Sequence, residues 1–252
     1  MRCTRMKFHA GIVLRELIMS SIVGNWQAVQ RAIATAAQAV SRDPHEIGLL
    51  AVSKHFSAEA VVELADAGQR RFGENYVQEA QTKIAQVRLL RPDLVLEWHF
   101  IGPIQSNKTR AIAEQFDWVH SIEREKVARR LSEQRPAHLP PLNVCLQVNL
   151  SAEASKSGAE VAETVELAQQ IAGLPNLHLR GLMAIPAATE VLAAQHAAFA
   201  QLRALWEQCR ASGLALDTLS MGMSGDLAAA IAEGSTLVRI GSAIFGSRTH
   251  AT

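Results

Sequence analysis

The run Ile47-Gly-Leu-Leu-Ala-Val-Ser-Lys54 is apolar, typical of a strand, and ends in a single lysine. Desolvation disfavours the ammonium form, so a lysine that leaves a buried strand is placed to act as a nucleophilic amine. Near the other end of the sequence, Leu237-Val-Arg-Ile-Gly-Ser-Ala-Ile-Phe-Gly246 is a second apolar run, interrupted by one arginine and by glycines. Together the two runs predict an amine placed to react with a carbonyl group and a glycine turn placed to bind a phosphate.

Strand-like and helix-like segments alternate outward from these two runs. The predicted strands are Ile47–Lys54, Arg71–Asn75, Trp98–Ile104, Trp118–Ser121, Asn143–Leu150, Leu179–Ile185, Thr218–Met223 and Leu237–Phe245. The predicted helices include Ser20–Val40 ahead of the first strand, then Ser57–Ala67, Ser106–Gln115, Arg124–Glu133, Glu160–Ala172, Glu190–Ser212 and Asp226–Ala232. Eight strands separated by helices predict an α/β fold, a single (β/α)₈ barrel of the TIM type with an extra N-terminal helix.

The length of 252 residues fits that barrel, whose usual size of about 250 residues leaves no room for a second domain. The alternative is a doubly wound open sheet. Neither G-x-G-x-x-G nor G-x-x-x-x-G-K-[ST] follows the first strand, which weakens the alternative.

Composition excludes several classes of function. A hydrophobic fraction of 48% with 19% charged residues is typical of a soluble globular protein rather than a disordered one. The net charge of +1 offers no electrostatic footprint for nucleic acid or an anionic membrane, and no apolar run is long enough to span a bilayer. Cys3, Cys145 and Cys209 are odd in number and far apart, which argues against a disulfide framework and is compatible with the cytoplasm.

The first 18 residues superficially resemble a signal peptide. Arg15 and Glu16 interrupt the apolar patch, and no convincing cleavage site follows it. A clean helical pattern begins at Met19, so we interpret residues 1–18 as an extension outside the core and residues 19–252 as the barrel domain.

Polar residues at the ends of the first, seventh and eighth strands are the strongest site candidates, because barrels of this type hold their working residues at the carboxyl ends of strands. Lys54 ends strand one, although an isolated lysine there is more often one that reaches to the solvent at the rim. Arg239 lies inside strand eight, where a guanidinium needs a partner, either a neighbouring carboxylate or a ligand. Ser224 and Gly225 follow strand seven, and Gly241-Ser242 follows strand eight, the two places where such barrels commonly hold phosphate.

Two further polar residues follow or lie within strands two and three. Asn75 is placed to hydrogen-bond a hydroxyl on the ring of a bound ligand. His99 is interpreted either as packing on the face of such a ring or as a core histidine, and the residues alone favour the core position. No set of His, Asp and Glu has the spacing of a metal site, and no nucleophile elbow is present.

Several short blocks resemble the family of pyridoxal phosphate homeostasis proteins, single-domain relatives of the alanine racemase barrel. The blocks are Ala51-Val-Ser-Lys54, Phe72-Gly-Glu-Asn-Tyr76, Trp98-His-Phe-Ile-Gly102, Gln105-Ser-Asn-Lys108, Ser155-Lys-Ser-Gly158, Gly181-Leu-Met-Ala-Ile-Pro186, Leu219-Ser-Met-Gly-Met-Ser224 and Val238-Arg-Ile-Gly241. The resemblance covers nearly everything from Ser20 to Arg248.

The resemblance implies that pyridoxal 5′-phosphate (PLP) is the cofactor, which carries both the carbonyl and the phosphate. It implies that Lys54 forms the Schiff base and that Arg239 lies against the pyridine nitrogen. Asn75 and His99 would lie near the ring, and the phosphate would be held by a cup of Ser224, Gly225, Gly241 and Ser242. Two positions depart from the family pattern: Phe56 stands where members often have a second lysine, and Gly225 replaces an acidic residue.

The resemblance also implies binding, buffering and delivery of PLP to apo-enzymes, with only indirect effects on amino-acid metabolism and little or no catalysis. Small amino acids would be transient ligands, and a monomer is expected. The residues agree with little catalysis. An arginine at the ring nitrogen can only donate a hydrogen bond, so the nitrogen stays unprotonated and the cofactor is a weaker electron sink. Tyr76 is the one tyrosine, and no second domain supplies the opposite-face acid/base of a racemase. The rivals are a weak amino-acid racemase and a cofactor-free barrel that acts on a small phosphorylated metabolite.

Overall fold

Eight parallel strands close into one barrel in sequence order, which confirms the predicted (β/α)₈ fold and excludes the open sheet. The structure is a computed structural model that describes residues 6–151 and 157–246. The strands are β1 (Gly48–Val52), β2 (Arg71–Glu74), β3 (Glu97–Phe100), β4 (Trp118–Ile122), β5 (Leu142–Gln147), β6 (Leu177–Met183), β7 (Thr218–Ser220) and β8 (Leu237–Ile240). Pairing of β1 with β8, from Gly48 opposite Leu237 to Ala51 opposite Ile240, closes the barrel.

Helices surround the barrel on the outside. They are α1 (Met6–Ala39), α2 (Ala58–Asp66), α3 (Val77–Leu90), α4 (Thr109–Gln115), α5 (Glu125–Gln134), α6 (Thr164–Ala172), α7 (Leu192–Ala211), α8 (Leu227–Ala232) and α9 (Ser242–Phe245). Each of the predicted helices has a counterpart, and α3 is an addition to them. The large core lies between this helical ring and the outer face of the strands.

The N-terminal helix completes the ring. Within the described residues, β8 is followed by the four-residue α9, and its neighbourhood is covered by α1, which packs against α2, α8 and α9. Val29, Ile33 and Ala37 of α1 are buried against the barrel. The helix begins at Met6, earlier than the predicted Ser20, and ends at Ala39.

The interior of the barrel is unusually polar. Side chains alternate along a strand, so when Val238 and Ile240 face the outer core, Arg239 faces inward. The same alternation turns His99, His120 and Ser220 inward, and all four are buried. Trp118, Cys145 and Met183 form the small apolar cluster that accompanies them.

The predicted final strand, Leu237–Phe245, is too long. β8 ends at Ile240, and Ser242 begins α9 after Gly241. The apolar residues Ile244 and Phe245 are buried from a helix rather than from a strand. In the block Ser155-Lys-Ser-Gly158, Ser155 and Lys156 lie outside the described residues.

Candidate functional site

A cavity of about 380 Å³ opens at the carboxyl ends of the barrel strands. Its size falls within the range of about 300–1,000 Å³ that is usual for small-molecule sites. Six of the eight predicted site residues line it, namely Lys54, Asn75, Ser224, Arg239, Gly241 and Ser242. They come from segments that follow or belong to β1, β2, β7 and β8, so the closure of the barrel brings the two ends of the sequence to one place.

Lys54 follows β1 by two residues and is half-buried at the cavity wall. The chain turns sharply after it, because His55 has a φ of 68°, in the left-handed region that non-glycine residues seldom occupy. Such a backbone is maintained only when the surroundings hold it in place. The groups that hold this turn belong to β2 and α3.

A buried cluster of Glu74, Glu79 and Lys83, here called the Lys83 cluster, holds both residues that flank Lys54. Lys83 Nζ donates to the Ser53 carbonyl oxygen at 2.6 Å, to Glu74 Oε1 at 2.6 Å and to Glu79 Oε1 at 3.0 Å. The same Glu79 oxygen accepts from the His55 amide at 2.5 Å. The backbone on either side of Lys54 is therefore tied to one buried ammonium group.

The electrostatics of the Lys83 cluster are those of a buried ion pair. Burial raises the pKa of Glu74, and the Lys83 charge and the hydrogen bond from Ser53 Oγ, at 2.7 Å, act in the opposite direction. This cluster is not among the site residues predicted from the sequence. The available signal was the i,i+4 pair Glu79–Lys83, which follows directly after a strand that ends in Glu74.

Asn75 is a lining residue of the cavity and has one unsatisfied amide oxygen. Its Oδ1 is buried and has no hydrogen-bond partner among the described residues. The backbone of Asn75 is closely packed, because a Cβ added at Gly102 would lie 2.1 Å from the Asn75 carbonyl oxygen. A fixed backbone and an unpaired buried amide are what a site that awaits a polar ligand group would contain.

Arg239 is the cation at the floor of the cavity, and the side chain is only 4% exposed. One terminal nitrogen donates to the Ser220 carbonyl oxygen at 2.5 Å and to Ser220 Oγ at 2.8 Å, and the other donates to the Ala184 carbonyl oxygen at 2.9 Å. Burial lowers the pKa of Arg239 to about 10, which leaves it protonated at neutral pH. Within the described ranges, these hydrogen bonds go to carbonyl and hydroxyl oxygens. They do not go to a carboxylate on a neighbouring strand, which was the predicted alternative.

Ser224 and Ser242 form a polar rim after β7 and β8, and both are exposed to solvent. Gly241 lies close to the end of β1, because a Cβ added there would lie 3.2 Å from the Val52 carbonyl oxygen and 3.3 Å from Val52 Cβ. Asp226 Oδ1 accepts from the Met223 amide at 2.6 Å and so holds the turn that presents Ser224.

The structure does not bring Gly225 and His99 to the cavity wall. Gly225 is exposed beside Ser224, with its backbone in the same turn. His99 is buried in the barrel interior, stacked on Trp118 with ring centroids 5.3 Å apart, and it borders a second cavity at the opposite end of the barrel. This is the core position that the residues alone favour, rather than the ring contact implied by the resemblance.

The remaining walls of the cavity are largely apolar. Phe56 stacks on Phe245 with ring centroids 4.7 Å apart, and Ile101 and Ile185 complete the lining. Phe56 thus connects the Lys54 loop to α9. Tyr76 is 49% exposed and is not among the lining residues.

Two kinds of feature are absent from the described ranges. No cluster of three or more His, Cys, Asp and Glu side chains is arranged to hold a metal ion there. Nor does any helix in these ranges combine the length and the apolar character needed to cross a membrane.

Comparison with known proteins gives a consistent result. Residues 25–249 match the family described as the N-terminal domain of alanine racemase. The pyridoxal phosphate homeostasis protein of Pseudomonas aeruginosa is 61% identical over 232 residues, which cover 92% of this chain and 98% of that protein.

Solved structures show the same similarity. An unknown protein from Bifidobacterium adolescentis has a TM-score of 0.86 and 32% identity, with 91% of this chain and 96% of that chain covered. PipY of Synechococcus elongatus with PLP bound has a TM-score of 0.74 and 39% identity, covering 85% of this chain and 100% of that one.

Proposed function

The chain belongs to the family of pyridoxal phosphate homeostasis proteins, and from this we propose that it binds PLP in the cavity at the carboxyl ends of its strands. One observation carries the proposal: an amine from Lys54, an unpaired amide from Asn75 and a buried cation from Arg239 meet in one cavity of about 380 Å³. The relative PipY, described with PLP bound, supports it.

The residues present fit the functional groups of the cofactor. PLP supplies an aldehyde that condenses with primary amines and an aromatic ring that, when its nitrogen is protonated, stabilises negative charge. Lys54 offers the amine, Asn75 offers the amide for the ring hydroxyl, and Arg239 offers a donor for the ring nitrogen. Ser224 and Ser242, with the backbone at Gly225 and Gly241, offer hydroxyl and amide groups for the phosphate.

We assign Lys54 to covalent retention of the cofactor, as a lysine Schiff base. The Lys83 cluster keeps the Ser53 carbonyl and the His55 amide in place, so the side chain of Lys54 leaves the backbone in one direction. Phe56 packs on Phe245 and closes the cavity behind it.

Arg239 favours holding the cofactor over turnover. A guanidinium has only donors, so a ring nitrogen that accepts from Arg239 stays unprotonated. The buried charge, with a pKa of about 10, remains in place at neutral pH. The cavity also reaches solvent past the exposed Ser224 and Ser242, which leaves a path for the cofactor and for small amino acids.

We therefore propose a role in PLP homeostasis, in which the protein stores the cofactor and delivers it to apo-enzymes. A monomer in the cytoplasm suits this role, and the buried free thiols of Cys145 and Cys209 are compatible with a reducing compartment. Weak amino-acid racemisation is the alternative, and the experiments below separate the two.

The first experiment locates the attachment. The purified protein is titrated with PLP, reduced with borohydride and mapped by peptide mass spectrometry. We expect the pyridoxyl group on Lys54, its loss in Lys54→Arg and its retention in the control Lys108→Arg. A label found mainly on Lys108 or Lys156 would contradict the assignment.

The second experiment tests delivery against turnover. Protein loaded with PLP is mixed with an apo-enzyme, and a chiral assay for racemisation of alanine runs in parallel. We expect activation of the apo-enzyme and no racemisation above the Lys54→Arg background. Racemisation that depends on Lys54, without transfer to the acceptor, would favour the racemase.

A further inference from the structure

A continuous path of hydrogen bonds crosses the inside of the barrel, from its N-terminal mouth to the cavity. Glu97 Oε1 lies 2.8 Å from His99 Nε2, and His99 Nδ1 lies 2.8 Å from His120 Nε2. His120 Nδ1 lies 2.8 Å from Ser220 Oγ, which accepts from Arg239 at 2.8 Å. These five residues, here called the interior network, connect β3, β4, β7 and β8.

The chemistry of its two ends determines where every proton in the network lies. Arg239 has only donors, so Ser220 Oγ accepts from it and its own hydroxyl proton is free to go to His120 Nδ1. His120 then donates from Nε2 to His99 Nδ1, and His99 donates from Nε2 to Glu97. In this arrangement both histidines are neutral with the proton on Nε2, and every link points from the guanidinium to the carboxylate.

The charges around the network agree with this arrangement. Burial lowers the pKa of His99, and burial together with the neighbouring His99 and Arg239 lowers that of His120 well below its usual range. Burial alone would raise the pKa of Glu97, but the hydrogen bond from His99 and the charge of Arg71 lower it, so Glu97 is ionised. Arg71 Nε lies 3.1 Å from Glu97 Oε1.

We propose that Glu97, His99, His120 and Ser220 are positioning residues for Arg239, and that they set how strongly its guanidinium donates to the ring nitrogen of bound PLP. The proposal rests on the proposed function, and it assigns a role to residues that do not touch the cofactor. Successive hydrogen bonds polarise one another in a buried path, so a change at Glu97 is transmitted to Arg239. The Ser220 and Ala184 carbonyl contacts hold the guanidinium in place even when the path is broken.

The first test uses the protein without PLP. Histidine labelled with ¹⁵N reports by NMR which ring nitrogen carries the proton, and we expect Nε2–H for both His99 and His120. Glu97→Ala removes the terminal acceptor, so a second tautomer is expected at His99. Glu97→Gln keeps an accepting oxygen and should restore part of the original pattern, while the control Glu114→Gln, an exposed carboxylate on α4, should change nothing.

The second test uses bound PLP labelled with ¹⁵N at the ring nitrogen. Ser220→Ala breaks the path at one hydroxyl and leaves the carbonyl contacts of Arg239. We expect a changed ring ¹⁵N shift and a dissociation constant roughly two- to tenfold higher, the size of one hydrogen bond. Ser235→Ala is the matched control. Ser235 is also buried, and its Oγ donates to the Met221 carbonyl oxygen at 2.7 Å, but it does not belong to the interior network.

Each outcome decides between distinct conclusions. Protons on Nδ1 in the wild-type protein, or tautomers that Glu97→Ala leaves unchanged, would overturn the network as described. A ring ¹⁵N shift that is the same in Ser220→Ala and wild type, or one that Ser235→Ala moves equally, would overturn its role toward PLP while the proposed function stands. A wild-type protein that binds no PLP would overturn the proposed function, and the tautomer measurements would still decide the network.

Discussion

Lys83 is a buried ammonium group that contacts the backbone next to Lys54, and its three oxygen partners explain why a charge is tolerated there. A buried ion pair contributes little net stability compared with apolar residues of the same volume, yet removal of one partner leaves an uncompensated charge. Here the pair also holds the left-handed turn at His55. The same interactions therefore bear on both folding and the geometry of Lys54.

We expect Lys83→Met to lower the free energy of unfolding by about 3–5 kcal/mol, because Glu74 would remain buried without its counterion. The double change Glu74→Met with Lys83→Met should recover much of that loss. Urea unfolding monitored by circular dichroism measures both, with Lys126→Met on the exposed face of α5 as the control. A cost below about 1 kcal/mol for Lys83→Met would show that the Glu74 carboxylate is hydrated once its counterion is removed.

Gly241 is required by close packing against the end of β1 rather than by an unusual backbone angle. A Cβ at this position would press on Val52, two residues before Lys54. We expect Gly241→Ala to weaken PLP binding by up to roughly tenfold, about one hydrogen bond lost through displacement of the Lys54 loop. A spectroscopic titration measures the affinity.

Gly173→Ala is the matched control for that change. Its added Cβ would make only ordinary contacts, at 3.6 and 3.7 Å, at the end of α6. If Gly241→Ala retained the wild-type affinity, the cofactor would not depend on the approach of β8 to β1.

At the scale of elements, two neighbouring side chains of α1 form hydrogen bonds to other parts of the barrel. Asn25 Nδ2 donates to the Ile244 carbonyl oxygen at 3.1 Å, and Trp26 Nε1 donates to Gln69 Oε1 at 3.0 Å. Gln69 in turn donates to the Leu49 carbonyl oxygen at 2.9 Å, so this contact reaches β1. The family match also begins at residue 25.

We expect deletion of residues 1–18 to leave the melting temperature and the PLP content unchanged, because Arg15 and Glu16 interrupt the apolar pattern of this segment and leave it no amphipathic face to pack on the barrel. Differential scanning calorimetry and absorbance of the loaded protein are the measurements. Trp26→Ala serves as the positive control, since it removes a half-buried ring and a hydrogen bond and should lower the melting temperature. A loss of several degrees on deletion would place residues 1–18 within the fold.

The elements show what can be predicted from the sequence and what cannot. Strands β1 to β8 follow from short apolar runs between helical segments, the end of the first run points to Lys54, and Arg239 is recognisable as a charged residue inside the last one. The prediction of one strand over Leu237–Phe245 is wrong at its end, because hydrophobic periodicity cannot separate a short buried strand from a short buried helix. The interior network could not be predicted, because its central hydrogen bond joins His120 and Ser220, which are 100 residues apart and meet only inside the closed barrel.

At the scale of the whole molecule, the polar barrel interior links stability to pH. His120 faces His99, Ser220 and Arg239, and His99 faces Glu97 and Trp118 with Arg71 nearby. Burial lowers the pKa of both histidines in the folded state, so they remain neutral there while the unfolded chain takes up protons below about pH 6.5. At these two groups the unfolded state then binds more protons, so their contribution to stability falls as the pH falls.

We expect the free energy of unfolding to decrease from pH 7 to pH 5, with each histidine contributing up to roughly 2 kcal/mol. Urea unfolding at several pH values gives the slope, and His120→Asn should reduce it by the share of one histidine. Asparagine retains a polar group near the former Nδ1, so the variant can still meet Ser220. His138→Asn, which removes an exposed histidine, is the control and should keep the wild-type slope. Equal slopes in His120→Asn and wild type would mean that His120 is already protonated in the folded barrel, and the proton order of the interior network would have to be abandoned with it.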